Sequence, residues 1–266
     1  MKNKKAIKTV LIIVCVIVAV LALVGVWQRE NIKSIINSFR YSEEQITEKL
    51  TDNDAKLQNI IDNTDYIEVR GGLTEEEENA LSSGKISADD AVRLVRGQVT
   101  LDELNAEKEA KSSQTTDGSG QAKDNSTPAA AVEPDTGAKD NTAAPEPSKD
   151  DIMKDKVSDI VAQLYVVKSD FISQLEATGQ SAYNEYVASG GGKSELAALS
   201  DAYLSKAGAL EAQCDAKVNE LLKQLQSALQ EGGGDMSLVK EVKQYYYNEK
   251  SLKKSYYLNK YMNNSD

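Results

Sequence analysis

Residues 194–230 read SELAALSDAYLSKAGALEAQCDAKVNELLKQLQSALQ. Leu196, Leu199, Tyr203, Ala207, Leu210, Cys214, Val218, Leu221, Leu225 and Leu229 recur every three or four residues along it. That spacing lays one apolar stripe down a helix. The mean step is about 3.67 residues, the 11-residue repeat of a nearly straight or slightly right-handed helix. Two glycine triplets, Gly190-Gly191-Gly192 and Gly232-Gly233-Gly234, bracket the stretch and mark tight turns.

The pattern continues on both sides. Before it, Val157, Ile160, Leu164, Val167, Phe171, Leu175, Thr178, Ala182 and Tyr186 predict a helix over about 150–189. After it, Val239, Val242, Tyr246, Leu252 and Tyr256 predict one over about 236–262. Tight turns make neighbours antiparallel. Residues 151–266 therefore read as an elongated antiparallel three-helix, coiled-coil-like bundle, and the chain as all-α. Cys214 falls on the core stripe and reads as a small buried apolar residue. An intermolecular bridge is the alternative role.

Residues 111–150 contain all four prolines, with Val132 the only large aliphatic side chain. Such a segment cannot bury enough surface to offset its ordering entropy. It reads as a disordered tether with a span of roughly 35 Å.

Residues 28–110 read as a membrane-proximal helical segment. Ser42 and Gln45 match a capping box, followed by Ile46, Leu50, Leu57 and Ile61 on one helix face. That thin stripe suits a partner helix or an oligomer seam better than a self-sufficient core, and a loosely packed stalk is the plainer alternative. A 13-residue repeat follows. Gly71-Gly72-Leu73-Thr74-Glu75-Glu76-Glu77, Gly84-Lys85-Ile86-Ser87-Ala88-Asp89-Asp90 and Gly97-Gln98-Val99-Thr100-Leu101-Asp102-Glu103 share one pattern. Gly closes one helix, Thr or Ser caps the next, and an acid three residues on completes the box. Three short helices are predicted at about 75–82, 88–95 and 101–110. An EF-hand would need alternating oxygen ligands and a twelfth-position Glu, and that spacing is absent. The repeated turn resembles that of SHOCT-type short helical domains, which implies an oligomerisation or interaction role.

Val10 to Trp27 carries no charge, and with Thr9 gives a helix of ~28 Å, near the ~30 Å hydrocarbon core of a bilayer. Lys2, Lys4, Lys5 and Lys8 precede it and Trp27 closes it. Residues 1–8 read as a basic cytoplasmic tail and 9–27 as a single transmembrane helix, a retained signal-anchor. A cleaved signal peptide would have a shorter apolar run and a small-residue cleavage site. The positive-inside bias places the remaining residues outside the cytoplasm.

The chain has no histidine and two distant cysteines, Cys15 and Cys214. A Ser-His-Asp triad, a His-ligated metal and a disulfide-stapled scaffold are thereby excluded. No phosphate loop or nucleophile motif stands in the sequence. The reading is non-enzymatic, with no cofactor. Residues 31–110 hold nine bases and eighteen acids, a poor match to nucleic acid.

The last predicted helix differs in chemistry. Residues 240–262 contain six lysines and two glutamates, with six tyrosines interleaved. Lys243, Tyr245, Tyr247, Lys250, Lys253, Lys254 and Tyr257 form a candidate binding patch that could grip an anionic polymer by charge and stacking. Packing on one face with lysines snorkelling on the other is the plainer reading.

The blocks Leu210-Glu211-Ala212-Gln213-Cys214-Asp215-Ala216-Lys217 and Glu249-Lys250-Ser251-Leu252-Lys253-Lys254-Ser255-Tyr256-Tyr257, with the anchor-and-tether plan, resemble uncharacterised single-pass envelope proteins of Gram-positive bacteria. The resemblance implies a cell-membrane protein with a helical domain outside. On the residues themselves, the expected partner is another protein or a second copy through the helices, or an anionic wall polymer through the Lys/Tyr helix.

Overall fold

A computed structural model of the chain describes residues 40–114, 147–190 and 193–263. Those residues are helical, without a strand among them. The helices are α1 (Glu43–Asp62), α2 (Glu75–Ser82), α3 (Ala88–Val95), α4 (Leu101–Gln114), α5 (Lys149–Ala188), α6 (Lys193–Gly232) and α7 (Ser237–Asn263). None is long and apolar enough to cross a membrane. The expected span at 9–27 lies outside the described residues.

The chain divides into two compact units. α1 and α7 belong to one, and Tyr66–Gly234 forms the other, inserted between them in sequence.

In the first unit α1 starts at the expected capping box: the Gln45 N–H donates to Ser42 Oγ and the Ser42 N–H to Gln45 Oε1. Ile46, Leu50, Leu57 and Ile61 are buried, with Asn53 completing their stripe. The element that covers them is α7. The expected three-helix bundle of residues 151–266 is therefore divided: α7 packs on α1 in this unit, and α5 and α6 belong to the other. The charges agree with the pairing. α1 carries six acids and two lysines, while residues 240–262 of α7 carry the reverse.

In the second unit the short repeats fold as their turn chemistry dictates. Each box is closed, by Thr74 with Glu77, Ser87 with Asp90, and Thr100 with Glu103. α2 and α3 end in Schellman turns: the Gly84 and Lys85 N–H groups donate to Leu81 and Ala80, and those of Gly97 and Gln98 to Leu94 and Arg93. Both turns need a residue at positive φ, +71° at Gly84 and +65° at Gly97.

Ile86 and Val99, just before their caps, are buried with Ala91, Leu94, Val95 and Leu104 in one core. That core closes on Ala162 and Val166 of α5. The expected tether 111–150 is therefore not a divider between separate cores. α4 precedes it, α5 follows it, and both belong to the same unit. Residues 111–114 and 149–150 are themselves helical.

α5 and α6, each 40 residues and ~60 Å long, form the expected antiparallel hairpin. Lys156 meets Glu231, Asp170 meets Lys217, and Glu185 meets Tyr203, so an advance along α5 is matched by a retreat along α6, as in an antiparallel pair. The seam is deepest near the open end, where Val157, Ile160, Val161, Val218, Leu221, Leu225 and Leu229 are buried. Cys214 is buried on the same seam. Gly232 lies so close to Met153 that a Cβ would overlap its side chain. Toward the turn, Phe171, Leu175, Ala182 and Tyr186 are only half-buried.

Candidate functional site

Two surfaces, one in each unit, carry side chains beyond what helix formation needs. The first is the Lys/Tyr helix α7. Asn53 of α1 donates from Nδ2 to Glu249 Oε2 at 2.9 Å and to the Tyr245 carbonyl at 3.3 Å. Tyr245 in turn donates its hydroxyl to Asp54 Oδ1 at 2.8 Å. Tyr245 is thus committed to the α1 contact.

Lys250 is only 9 % exposed, with Nζ 5.7 Å and 5.2 Å from the ring centroids of Tyr246 and Tyr247. These cation–π contacts hold it against its own helix. Tyr247 meets Tyr246 edge to face at 5.3 Å, and Tyr257 meets Tyr256 in the same way at 5.4 Å. Lys243 is exposed, while Lys253 and Lys254 are half-buried. The seven expected patch residues therefore do not form one open face. Lys250 is withdrawn from it and Tyr245 is engaged elsewhere, and Lys243, with Lys240, carries the open charge.

The second surface is on α5. Its base carries two faces side by side. One faces α6. The other, through Ser158, Ala162, Tyr165 and Val166, receives the short helices and the segment before them. The Glu68 N–H donates to Ser158 Oγ at 2.8 Å, and Tyr165 packs on the short-helix core. Lys154 pairs with Glu68, and Arg96, at the end of α3, reaches Asp155 at 2.7 Å and Asp159 at 3.9 Å.

Polar groups brace the short helices from within. Arg70 reaches both Glu77 and the Leu94 carbonyl. Burial pushes the Glu77 carboxyl up, but the Thr74 N–H, the Arg70 guanidinium and the Thr74 hydroxyl outweigh it and hold the group below its ordinary value. Asp90 behaves alike. Burial raises it, and the Ser87 cap with Lys108 lowers it further than burial lifts it.

Beyond Ser169 the second face of α5 runs on through Ile172, Glu176, Gly179, Tyr183 and Val187, at steps of three and four. Tyr183 is 61 % exposed and Val187 58 %. Ile172 and Gly179 are half-buried. At the adjoining edge, the Tyr203 hydroxyl donates to Glu185 Oε2 at 2.7 Å, and that hydrogen bond, with burial and the carboxylate charge, raises the phenol pKa. Lys206 lies 4.0 Å from the Tyr203 ring centroid.

Sequence reasoning missed this face because it sits one residue off the stripe it followed: Tyr183 and Val187 stand beside Ala182 and Tyr186. The i, i+4 pair of large apolar residues was the available signal. Asn53 was missed because a polar residue in an apolar stripe reads as an interruption.

Among the described residues no group of three or more His, Cys, Asp or Glu side chains is placed to hold a metal ion. The chain matches no family model, no curated protein and no solved structure.

Proposed function

We propose that the protein is a membrane-anchored, non-enzymatic interaction or spacer protein that exposes a helical body outside the cytoplasm. The observation that carries the reading is the α5 face from Ile172 to Val187, on which Tyr183 and Val187 are large apolar side chains standing exposed among the described residues. Exposed apolar residues in helical register suit contact with another helix. The uncharged run Val10–Trp27 behind a lysine-rich tail supports the anchor. A hairpin of ~60 Å helices gives reach, which is what a spacer requires.

Membrane fractionation tests the reading. The full chain should stay in the pellet through an alkaline wash, and deletion of residues 1–30 should release it. A full chain that washes off would refute the anchor.

A second reading is a binding module for an anionic envelope polymer through α7. Exposed Lys240 and Lys243 favour it. The acidic complement supplied by α1 gives the same lysine-rich composition a structural use. Polymer binding that weakens with salt and is lost in Lys240→Ala/Lys243→Ala would support the second reading, and salt-insensitive or absent binding would remove it.

A further inference from the structure

We infer that the Ile172–Val187 face of α5 pairs with the same face of a second copy of this chain. The two helices run antiparallel about a two-fold axis beside Gly179. The inference rests on the interaction reading above and names its partner.

Three observations lead there. First, the face continues an interface the chain already uses: Ala162, Tyr165 and Val166 take the short helices on it, and Ile172, Tyr183 and Val187 extend the same register past the point where that cover stops. Second, the spacing is self-complementary. Ile172 lies seven residues before Gly179 and Val187 eight after, while Glu176 lies three before and Tyr183 four after. An antiparallel pair centred there sets Ile172 against Val187 of the other copy, and Glu176 beside the other Tyr183. An isologous interface requires such pairing. Gly179, costly inside a helix, has no side chain to hold the two backbones apart at the crossing.

Third, the charge suits a copy. Between Phe171 and Ala188 the helix carries only Glu176 and Glu185, so two copies meet with little repulsion. The chain's own residues 115–146 are a poor alternative occupant, because Val132 is their one large aliphatic side chain. The contact from Ile172 to Val187 is ~22 Å long. A contact of that length is modest, and confinement of two anchored copies to one membrane strengthens it through effective concentration.

The test uses the full chain in detergent. In a Cys15→Ser/Cys214→Ala background, Gln180→Cys should give an intermolecular disulfide on mild oxidation, and Asn219→Cys, exposed on α6, should not. In the otherwise native chain, Tyr183→Glu/Val187→Glu should weaken self-association roughly 100-fold by sedimentation, because the change enters the interface from both sides. Both side chains are exposed, so the helix content should be unchanged. A monomer at every concentration would overturn the pairing, as would a dimer unmoved by the double variant or one cross-linked equally well at Asn219. A monomer still retained in washed membranes refutes the pairing alone. A dimer that washes off refutes the anchor alone.

Discussion

Asn53 donates a hydrogen bond from Nδ2 to Glu249 Oε2 at 2.9 Å across 196 residues of sequence. It sits in an otherwise apolar stripe and is 3 % exposed. A buried polar pair between two helices fixes register, because sliding either helix strands both groups away from water. Asn53→Ala should therefore cost about 2 kcal/mol in the α1–α7 unit. Hydrogen exchange should quicken in residues 43–62 and 237–263 and stay unchanged in 75–114. Uniform quickening would show that the pair does not act locally.

Gly84 and Gly97 close the short helices at positive φ, and a Cβ on Gly84 would meet nothing within 4 Å. Space is available, so the penalty of Gly84→Ala is conformational, about 1 kcal/mol. Gly97→Ala, whose nearest neighbour is Arg70 Cβ at 4.0 Å, should cost the same. Denaturant unfolding of the two variants checks this, and a neutral result at both would contradict the turn assignment.

These turns mark where the sequence was most readable. Local chemistry sets the boundaries of α2 and α3, since the cap, the acid and the closing glycine lie within a few residues of one another, and both helices begin and end where predicted. The hairpin was readable for the same reason, its stripe being continuous and its ends marked by glycine. The partner of α7 was not readable. Helical periodicity shows which face of α7 is apolar but not which distant helix covers it, and nearness in sequence favoured α6. The Lys/Tyr patch is legible only in part, because composition cannot tell a lysine folded back on its own tyrosines, as Lys250 is, from one facing solvent.

Arg96 ties the end of α3 to Asp155 and Asp159 of α5, and its stem is largely covered. Arg96→Ala should cost about 1–2 kcal/mol, with lost packing contributing beside the lost pair, since Asp155 is well exposed and its charge is screened. Limited proteolysis should then cut faster within residues 66–114. Arg96→Lys should recover only a fraction of the loss, because an ammonium cannot reproduce the fork that reaches two carboxylates.

The lowered pKa of Glu77 gives a direction for acid sensitivity. A depressed carboxylate contributes stability fully present above its ordinary value of 4.5 and lost as pH falls through the lowered value. Unfolding of the short-helix core should therefore become easier below pH 4.5. Glu77→Gln should flatten that region of the profile while lowering stability at neutral pH. A variant with the same acid dependence as the parent would remove Glu77 as the group responsible.

Placement of the helical body outside the cytoplasm is tested most directly by a membrane-impermeant thiol reagent applied to intact cells. The target is Ser126→Cys in a Cys214→Ser background, with Cys15 also replaced. Labelling in intact cells is the predicted result. Labelling only after lysis would put the hairpin in the cytoplasm and contradict the proposed role at the envelope.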